Sequence, residues 1–307
     1  MSGSISFIFV IAIAFSFFGK YWWVFDLASH FRLQYAVGSV ALIPLLFLLK
    51  RRGYAAILLC LSIANAVALV PFIPAKTKNT PEDANTLKTL FLNVNTQLGN
   101  PARVVDLILE ESPDFFVLQE INRAWKKDVS ALNELYPHQV LETREDNFGI
   151  GLFSKHPIIS SDMLYLDNYG FPSISATLST SNTTLRILST HTLPPRDNRY
   201  TKIRNEQLEQ LAAHIYKIEG PVILLGDLNT TVYNYYFQKL LKDSGLINSY
   251  KQHGFLSTWP NFLPGMGIQI DHILHSKEIS MNDIYVGPKV GSDHLPLIAE
   301  FIIIPSN

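Results

Sequence analysis

Cysteine is almost absent from this chain of 307 residues, since Cys60 is the only one. A lone cysteine excludes an intramolecular disulfide and a metal site built from several thiolates. A cysteine-free outer domain is compatible with an oxidising compartment but does not require one.

A basic excess is missing as well, because residues 76–307 hold 20 of the 25 Lys and Arg but 25 of the 26 Asp and Glu, a net charge of −5. Proteins that bind nucleic acid without sequence preference usually carry a basic stripe, so the composition disfavours a general nuclease.

Charge is missing from three stretches near the N-terminus: residues 5–19, 36–49 and 54–73. The third has 20 residues, enough for a helix to cross a bilayer core of about 30 Å. The first reaches that length only if it continues past Lys20 into "YWWVF", and the second only if it includes residues 33–35. We therefore predict that residues 1–75 form a membrane anchor of about three transmembrane helices, at 5–25, 33–49 and 54–73.

Two other interpretations of the apolar stretches are weaker. A cleaved signal peptide would carry a positive charge before its apolar run, and "MSGSIS" carries none. A buried core of a soluble protein is disfavoured because three uncharged helices in 70 residues leave almost no polar face. The only basic cluster near the spans is "KRRG" at 50–53, which the positive-inside rule places in the cytoplasm. The prediction is a multi-pass protein of the cell (inner) membrane, with everything after residue 73 on the extracytoplasmic side.

Beyond the anchor we predict a polar linker at 76–86 and one domain over 87–307 that mixes strands and helices. Strands are predicted at 87–95, 114–120, 147–153, 157–165, 172–180, 184–190, 221–226, 270–275, 279–286 and 296–304, and helices at 101–112, 122–135, 198–218 and 234–243. This order, without internal repeats or low-complexity tracts, predicts mixed sheets with helices outside.

Polar side chains follow the buried strands where those strands end. In "VILLGDLNTTV", residues 222–232, Asp227 and Asn229 follow a run of four aliphatic residues and a glycine. Residues two apart on a strand point to the same side, so these two side chains would face one point. An Asx turn explains the same letters. The other interruptions are Asn93 with Asn95, Gln119 with Glu120, His191, Asp271, and Asp293 with His294.

Each of these groups alone has a plain structural explanation, such as a helix cap or a turn. Together they place a carboxylate, amide or imidazole at the end of nearly every buried strand. Oxygen ligands of this kind, with few histidines and no thiolate, suit Mg²⁺ or Mn²⁺ better than zinc. A metal with neutral or protonated donors can stabilise the charge that develops when a phosphodiester is attacked.

The motifs "LNVN", "VLQE", "GIGLFSKHPI", "THTLPP", "LLGDLN", "QIDHIL" and "GSDHLP" occur in an order that resembles the endonuclease/exonuclease/phosphatase superfamily, the deoxyribonuclease I-like fold. The resemblance covers about residues 87–304. It implies an α+β fold, a four-layer α/β/β/α sandwich in which two packed mixed β-sheets are flanked by helices, and here transmembrane helices precede it. It also implies hydrolysis of phosphate esters with a divalent metal, Mg²⁺ or Mn²⁺.

The resemblance further implies roles for single residues. Metal binding falls to Glu120 as the main carboxylate ligand, Asn93 as a ligand or phosphate contact, and Asp271 as a ligand or a support for the histidine. Asn95, a candidate substrate contact, stands where some relatives have aspartate, which favours one tightly bound ion. Asp227 would orient the attacking water, and Asn229 would bind phosphoryl oxygens. Asp293 would support His294, the base or charge-stabilising group, and His191 would donate to a phosphate oxygen.

The substrate is less constrained by the sequence. A membrane anchor favours a phospholipid or another membrane-associated phosphoester, and nucleic acid is the less favoured partner. No protein partner is indicated. Five basic residues near His191 are either a phosphate-binding patch, in which Arg196 would contact substrate, or the solvated face of a helix: Arg186, Arg196, Arg199, Lys202 and Arg204. The loop at 243–267 could shape specificity. The alternatives are an extracytoplasmic endonuclease or exonuclease, and a catalytically silent binding protein of the same fold.

Overall fold

The computed structural model describes residues 2–73, 86–180, 183–249, 254–262 and 266–304. The predicted linker at 76–86 lies outside the described residues except for its last position, and the loop at 243–267 is described in part. The strands are β1 (Leu87–Asn93), β2 (Phe115–Gln119), β3 (His138–Glu142), β4 (Ile150–Ser154), β5 (Ile158–Tyr165), β6 (Pro172–Ser179), β7 (Thr184–Thr190), β8 (Val222–Asp227), β9 (Ile247–Asn248), β10 (Asp271–His275), β11 (Ile279–Val286) and β12 (Leu297–Ile303). The α-helices are α1 (Ser2–Ser16), α2 (Trp23–Ser29), α3 (Arg32–Leu48), α4 (Arg52–Leu69), α5 (Pro101–Glu111), α6 (Arg123–Asp128), α7 (Asn198–Ile215) and α8 (Tyr235–Ser244).

The twelve strands form two six-stranded sheets, with the strand orders β11-β12-β1-β2-β4-β3 and β5-β6-β7-β8-β10-β9. Each sheet contains one parallel pair, β1 with β2 and β7 with β8, among antiparallel neighbours. Side chains alternate along β1, so that Phe91 enters the core between the sheets while Leu90 and Leu92 pack beneath helices. The sheets and their helices form the predicted α+β arrangement of two packed mixed sheets flanked by helices.

The helices cover the outer faces of both sheets through apolar stripes. Val104 and Ile108 of α5 pack on the first sheet, and Leu208 and Leu211 of α7 pack on the second. Pro101 begins α5 after an Asn100 cap, and Asp197 caps α7. These signals place both helix starts where the sequence predicts them.

Three elements differ from the sequence-based expectation. Strand β3 was not predicted, because its five residues are all half-buried and show no alternation of apolar and polar positions. The predicted helix at 122–135 is α6 followed by a 3-10 turn at 129–132. The two-residue β9 was also missed, since so short a strand carries no periodic signal.

The prediction of one continuous helix over residues 5–25 is wrong, because α1 ends at Ser16 and α2 begins at Trp23. Arg32 explains the break. Its Nη2 donates to the carbonyl of Ser16 at 2.9 Å, and its guanidinium lies over the ring of Phe17, 4.4 Å from the centroid. A cation at the last carbonyls stabilises a helix C-terminus. The chain then turns through Gly19 into α2.

The N-terminal bundle, helices α1 to α4, has polar contacts inside and apolar side chains outside. Arg32 Nη1 contacts Oδ1 of the buried Asn65 at 3.4 Å, and Asn65 Nδ2 donates to the carbonyl of Arg32 at 2.8 Å. Val40 and Leu48 are 76% and 79% exposed. An exposed apolar surface of this kind marks a membrane or protein contact.

Only one described helix is long and apolar enough by itself to cross a membrane, the segment Arg52–Phe72 that continues α4 by one turn. A second span is possible if α2 and α3, bent by 68°, count as one. Helix α1 is shorter than this criterion requires.

Candidate active site

One edge of the two sheets collects the polar residues singled out from the sequence. The parallel pairs bring the carboxyl ends of β1 and β2, and of β7 and β8, to that edge. Strand β10 runs antiparallel to β8 and begins there, with Asp271 directly opposite Asp227. The loop that carries His294 leads into β12 at the same place.

Asp227 is the centre of the cluster. Its Oδ2 lies 3.5 Å from His191 Nε2, 3.8 Å from His294 Nε2 and 3.2 Å from Asn93 Nδ2. Its Oδ1 accepts the backbone N–H of Asn229 at 2.9 Å, which is an Asx turn. The turn and the site are therefore the same structure, and the two interpretations of "GDLN" are compatible.

His294 is paired with Asp271, and the prediction that Asp293 supports it is wrong. Nδ1 of His294 lies 2.9 Å from Oδ2 of Asp271, and both side chains are buried. The Asp293 carboxylate instead accepts Asn95 Nδ2 at 2.7 Å and Trp259 Nε1 at 2.9 Å. Although Asp293 is adjacent to His294 in the chain, it is Asp271, across the site, that makes the hydrogen bond.

These contacts determine the protonation of the site. Burial lowers the pKa of His294, but the charge and hydrogen bond of Asp271, together with the charge of Asp227, outweigh it and raise that pKa to about 10. Burial opposes a charge on His191 too, yet the hydrogen bond to Asp227 raises its pKa. Burial would raise the pKa of Asp227, but His191 and His294 hold it below its ordinary value. At neutral pH the cluster contains an ionised Asp227 carboxylate beside a protonated His294, and His191 is shifted toward its protonated form.

Asp271 behaves differently from Asp227. Burial raises its pKa, and His294 compensates only in part. The nearby charge of Asp227 raises the pKa of Asp271 further. The hydrogen bond to His294 Nδ1 leaves Nε2 directed toward Asp227.

Glu120 lies beside this cluster through Asn93, whose Nδ2 donates to Glu120 Oε1 at 2.9 Å as well as to Asp227. Within the described residues, no Lys or Arg forms an ion pair with Glu120, Asp227 or Asp271. One ligand atom from each of Asp227, Asp271 and His294 lies within 4.8 Å of the others. Carboxylate and amide oxygens that no described Lys or Arg balances fit a hard divalent ion.

The remaining predicted residues lie at the same edge with partners of their own. Asn95 follows β1, and its Oδ1 is 3.3 Å from the backbone nitrogens of Gln97 and Leu98 while its Nδ2 binds Asp293. Asn229 Nδ2 donates to the carbonyl of Thr192 at 2.8 Å. Asn95, Glu120 and Asn229 all have positive φ, at 48°, 62° and 46°. Left-handed backbone at non-glycine residues concentrates at functional sites, where surrounding contacts maintain it.

The basic residues near His191 do not form one patch. Arg196 is exposed on the loop after His191, where its predicted substrate contact stays a prediction. Arg204 is completely buried beneath the site. For this residue, both interpretations, a phosphate-binding patch and a solvated helix face, are therefore wrong.

Two residues that carry the site were given no role from the sequence, although Gln119 was named among the polar residues at the strand ends. Gln119 joins the sheets, because its Nε2 donates to the carbonyl of Thr190 and its Oε1 accepts the backbone N–H of Asp227. Trp259 holds Asp293, and its ring centroid lies 6.5 Å from that of His294. The aromatic content of the loop at 243–267 was the available signal for Trp259.

Comparison with known proteins identifies this arrangement. The sequence pattern of the Endonuclease/Exonuclease/phosphatase family matches residues 90–294, about two thirds of the chain. The chain belongs to this family. Family members are metal-dependent hydrolases of phosphoric ester bonds, and this chain is a hydrolase of that class with a buried Asp/Asp/His cluster.

Solved structures share the fold of this family member at low identity. An endonuclease/exonuclease/phosphatase from Bacteroides vulgatus has a TM-score of 0.60 and 17% identity, over 71% of this chain and 99% of that one. The 3′ phosphatase NExo from Neisseria, solved with a product DNA hairpin, has a TM-score of 0.58 and 23% identity, over 70% and 99%. Sphingomyelinase C from Streptomyces griseocarneus has a TM-score of 0.53 and 19% identity, over 72% and 99%. The search of curated protein sequences found no match.

Proposed function

We propose that the protein is a membrane-anchored, divalent-metal-dependent phosphodiesterase whose catalytic domain lies on the extracytoplasmic side of the cell membrane. The observation that carries the proposal is the ionised Asp227 held between His191 and His294, with Glu120 beside it. A carboxylate acceptor, two imidazole donors and the neighbouring carboxylate of Glu120 match the needs of water attack on a phosphate ester.

Asp227 orients the attacking water and accepts its proton. The imidazoles of His191 and His294 direct Nε2 toward Asp227, where they would stabilise the oxygens of the phosphoryl group as negative charge develops. Asn229 contributes its amide to the same oxygens. Asp271 keeps His294 protonated and fixes its ring, which is the second of the two roles expected of Asp271 from the sequence.

Glu120 and Asn93 are the residues we propose as metal ligands, with Asp271 as the further candidate. A bound Mg²⁺ or Mn²⁺ would polarise the phosphoryl oxygen and neutralise part of its charge. Asn93 positions Glu120 for this role, because its amide nitrogen bridges Glu120 and Asp227.

Contacts of the N-terminal bundle with the domain support the proposed orientation. Gln34, near the start of α3, donates to the carbonyls of Met266 and Gly267. Phe72, just beyond α4, packs edge-on against Tyr233 with ring centroids 5.2 Å apart. The basic loop at 49–51, between α3 and α4, is therefore at the far end of this helix pair, and a cytoplasmic loop leaves the domain outside.

A membrane-associated phosphodiester is the substrate class we favour. The domain is acidic overall, and a membrane-anchored bundle would bring the site close to lipid headgroups. The likeness to a sphingomyelinase supports a lipid substrate, while the likeness to a phosphatase solved with DNA supports nucleic acid. The charge of the domain favours the first of these.

The test is hydrolysis by the full chain in lipid nanodiscs, with choline-type phosphodiester lipids and with supercoiled DNA, each with Mg²⁺, Mn²⁺ or EDTA. We expect metal-dependent release of the lipid headgroup, and a loss of at least about a hundredfold in Asp227→Asn. Cleavage of DNA alone would replace the lipid substrate by a nuclease function. Reporter fusions at residues 50–53 and at the C-terminus test the topology, which a cytoplasmic C-terminus would contradict.

A further inference from the structure

Asp26 is the only acidic residue among the first 75, and the structure buries it. It lies on α2, where its Oδ1 accepts Arg204 Nη2 at 2.6 Å and Asn234 Nδ2 at 2.7 Å. Asp26 and Arg204 are 1% and 0% exposed. Removal of one partner from a charged pair this well buried strongly destabilises the folded protein, because the other charge remains buried without compensation. Helix α2 is thus attached to the catalytic domain by a buried ion pair.

Two hydrogen bonds connect the ion pair to the site. Arg204 Nη1 donates to the backbone carbonyl of Asn229 at 3.2 Å, and the backbone N–H of Asn229 donates to the carboxylate of Asp227. One residue therefore separates the Arg204 guanidinium from the central carboxylate. Asn229 has a φ of 46°, a backbone conformation that needs outside contacts to persist.

Helix α2 also holds the far side of the Asp227 turn, defined as residues 227–234. His30, just beyond α2, has its Nδ1 3.2 Å from Thr231 Oγ1, and its Nε2 lies 3.4 Å from Asp26 Oδ2. Asn234, which binds Asp26, caps α8 by accepting the N–H of Tyr236. The N-terminal bundle thus contacts the Asp227 turn at its middle and at its end.

We propose that Asp26 and Arg204 are positioning residues, through which helix α2 holds the Asp227 turn in its catalytic geometry. The bundle then takes part in turnover as well as in membrane attachment. The kinetic part of this inference rests on the proposed hydrolytic function, whereas its structural part can be measured in an inactive protein.

The test uses the full chain in nanodiscs with three variants. Asp26→Asn removes one charge, Asp26→Asn with Arg204→Gln removes both, and Lys239→Gln removes exposed ion pairs of the same α7–α8 layer as a matched control. We expect amide hydrogen exchange of residues 228–234 to be at least about tenfold faster in Asp26→Asn and unchanged in the control. We expect kcat for bis-p-nitrophenyl phosphate to fall at least about tenfold, with KM nearly unchanged, because small displacements of catalytic groups are costly.

The double variant separates positioning from global stability. It has no unpaired buried charge, so we expect its Tm to recover toward wild type while its kcat stays low. Recovery of both Tm and kcat would overturn the inference, and so would unchanged exchange in Asp26→Asn. Faster exchange without loss of kcat would overturn the positioning role. A wild-type chain without hydrolysis, but with the expected exchange difference, would contradict the proposed function and support the contact.

Discussion

Asp271→Asn should change the protonation of His294 while preserving the shape of the site. In the wild type the pKa of His294 is raised to about 10 from an ordinary 6.5. That difference corresponds to about 5 kcal/mol in favour of the protonated imidazole. The charge and hydrogen bond of Asp271 are its main source, and burial opposes it. Without the Asp271 charge we expect the pKa to fall by several units, so that the imidazole is largely neutral at pH 8.

The assay is a nuclear magnetic resonance titration of ¹³C-labelled histidines in the EDTA-treated full chain, with assignment through His294→Gln. Asp293→Asn is the matched control, because Asp293 contacts Asn95 and Trp259 and should affect this pKa much less. Turnover that needs the protonated imidazole persists below the pKa of His294 and is lost as pH rises through it. The basic limb of the rate profile should therefore move to lower pH in Asp271→Asn. An unchanged titration, or a larger effect of Asp293→Asn, would refute the reasoning.

Three further predictions concern the metal, acid stability and packing. Glu120→Gln should weaken Mn²⁺ binding at least about tenfold, as measured by isothermal titration calorimetry. The control is Glu134→Gln, at an exposed position. Equal Mn²⁺ affinity in the two variants would exclude Glu120 as a ligand. Burial lowers the pKa of His272 to about 4. As pH falls from 6.5 to 4, His272 binds a proton in the unfolded chain but not in the folded chain. The free energy of unfolding should therefore drop by about 3 kcal/mol. The Tm of His272→Gln should lack this dependence, and a parallel decline would contradict it. Gly226→Ala places a methyl group against a β7 carbonyl and should cost about 2 kcal/mol or more in denaturant unfolding, whereas Gly53→Ala meets nothing within 4 Å. Equal stability of these two variants would show that the strands can separate there.

The strand ends were predictable because a run of aliphatic residues indicates a buried strand. "VILLGD" and "FFVLQ" are fully buried β8 and β2, and their final residues reach the site edge. The convergence of Asp227, Asn93 and Glu120 follows from that rule together with the family resemblance. The sequence-based prediction thus matches the structure best where local pattern and topology agree.

Contacts between distant parts of the chain were beyond local pattern. Asp26 and Arg204 are separated by 178 positions, and each taken alone has the features of a surface residue. The family resemblance implied support of His294 by Asp271 only as one of two roles, because these residues lie 23 positions apart and local pattern does not pair them. At the break between α1 and α2, the carbonyl of Ser16 accepts a hydrogen bond from Arg32, which lies 16 positions away in the sequence. In each case tertiary packing decided what the local sequence left open.

The most direct test of the central claim is the initial rate of bis-p-nitrophenyl phosphate hydrolysis by the full chain in nanodiscs, beside Asp227→Asn purified in the same way. The account predicts turnover with Mg²⁺ or Mn²⁺ that EDTA abolishes and the variant lacks. Equal rates for the two proteins, or turnover that survives EDTA, would contradict a metal-dependent site centred on Asp227.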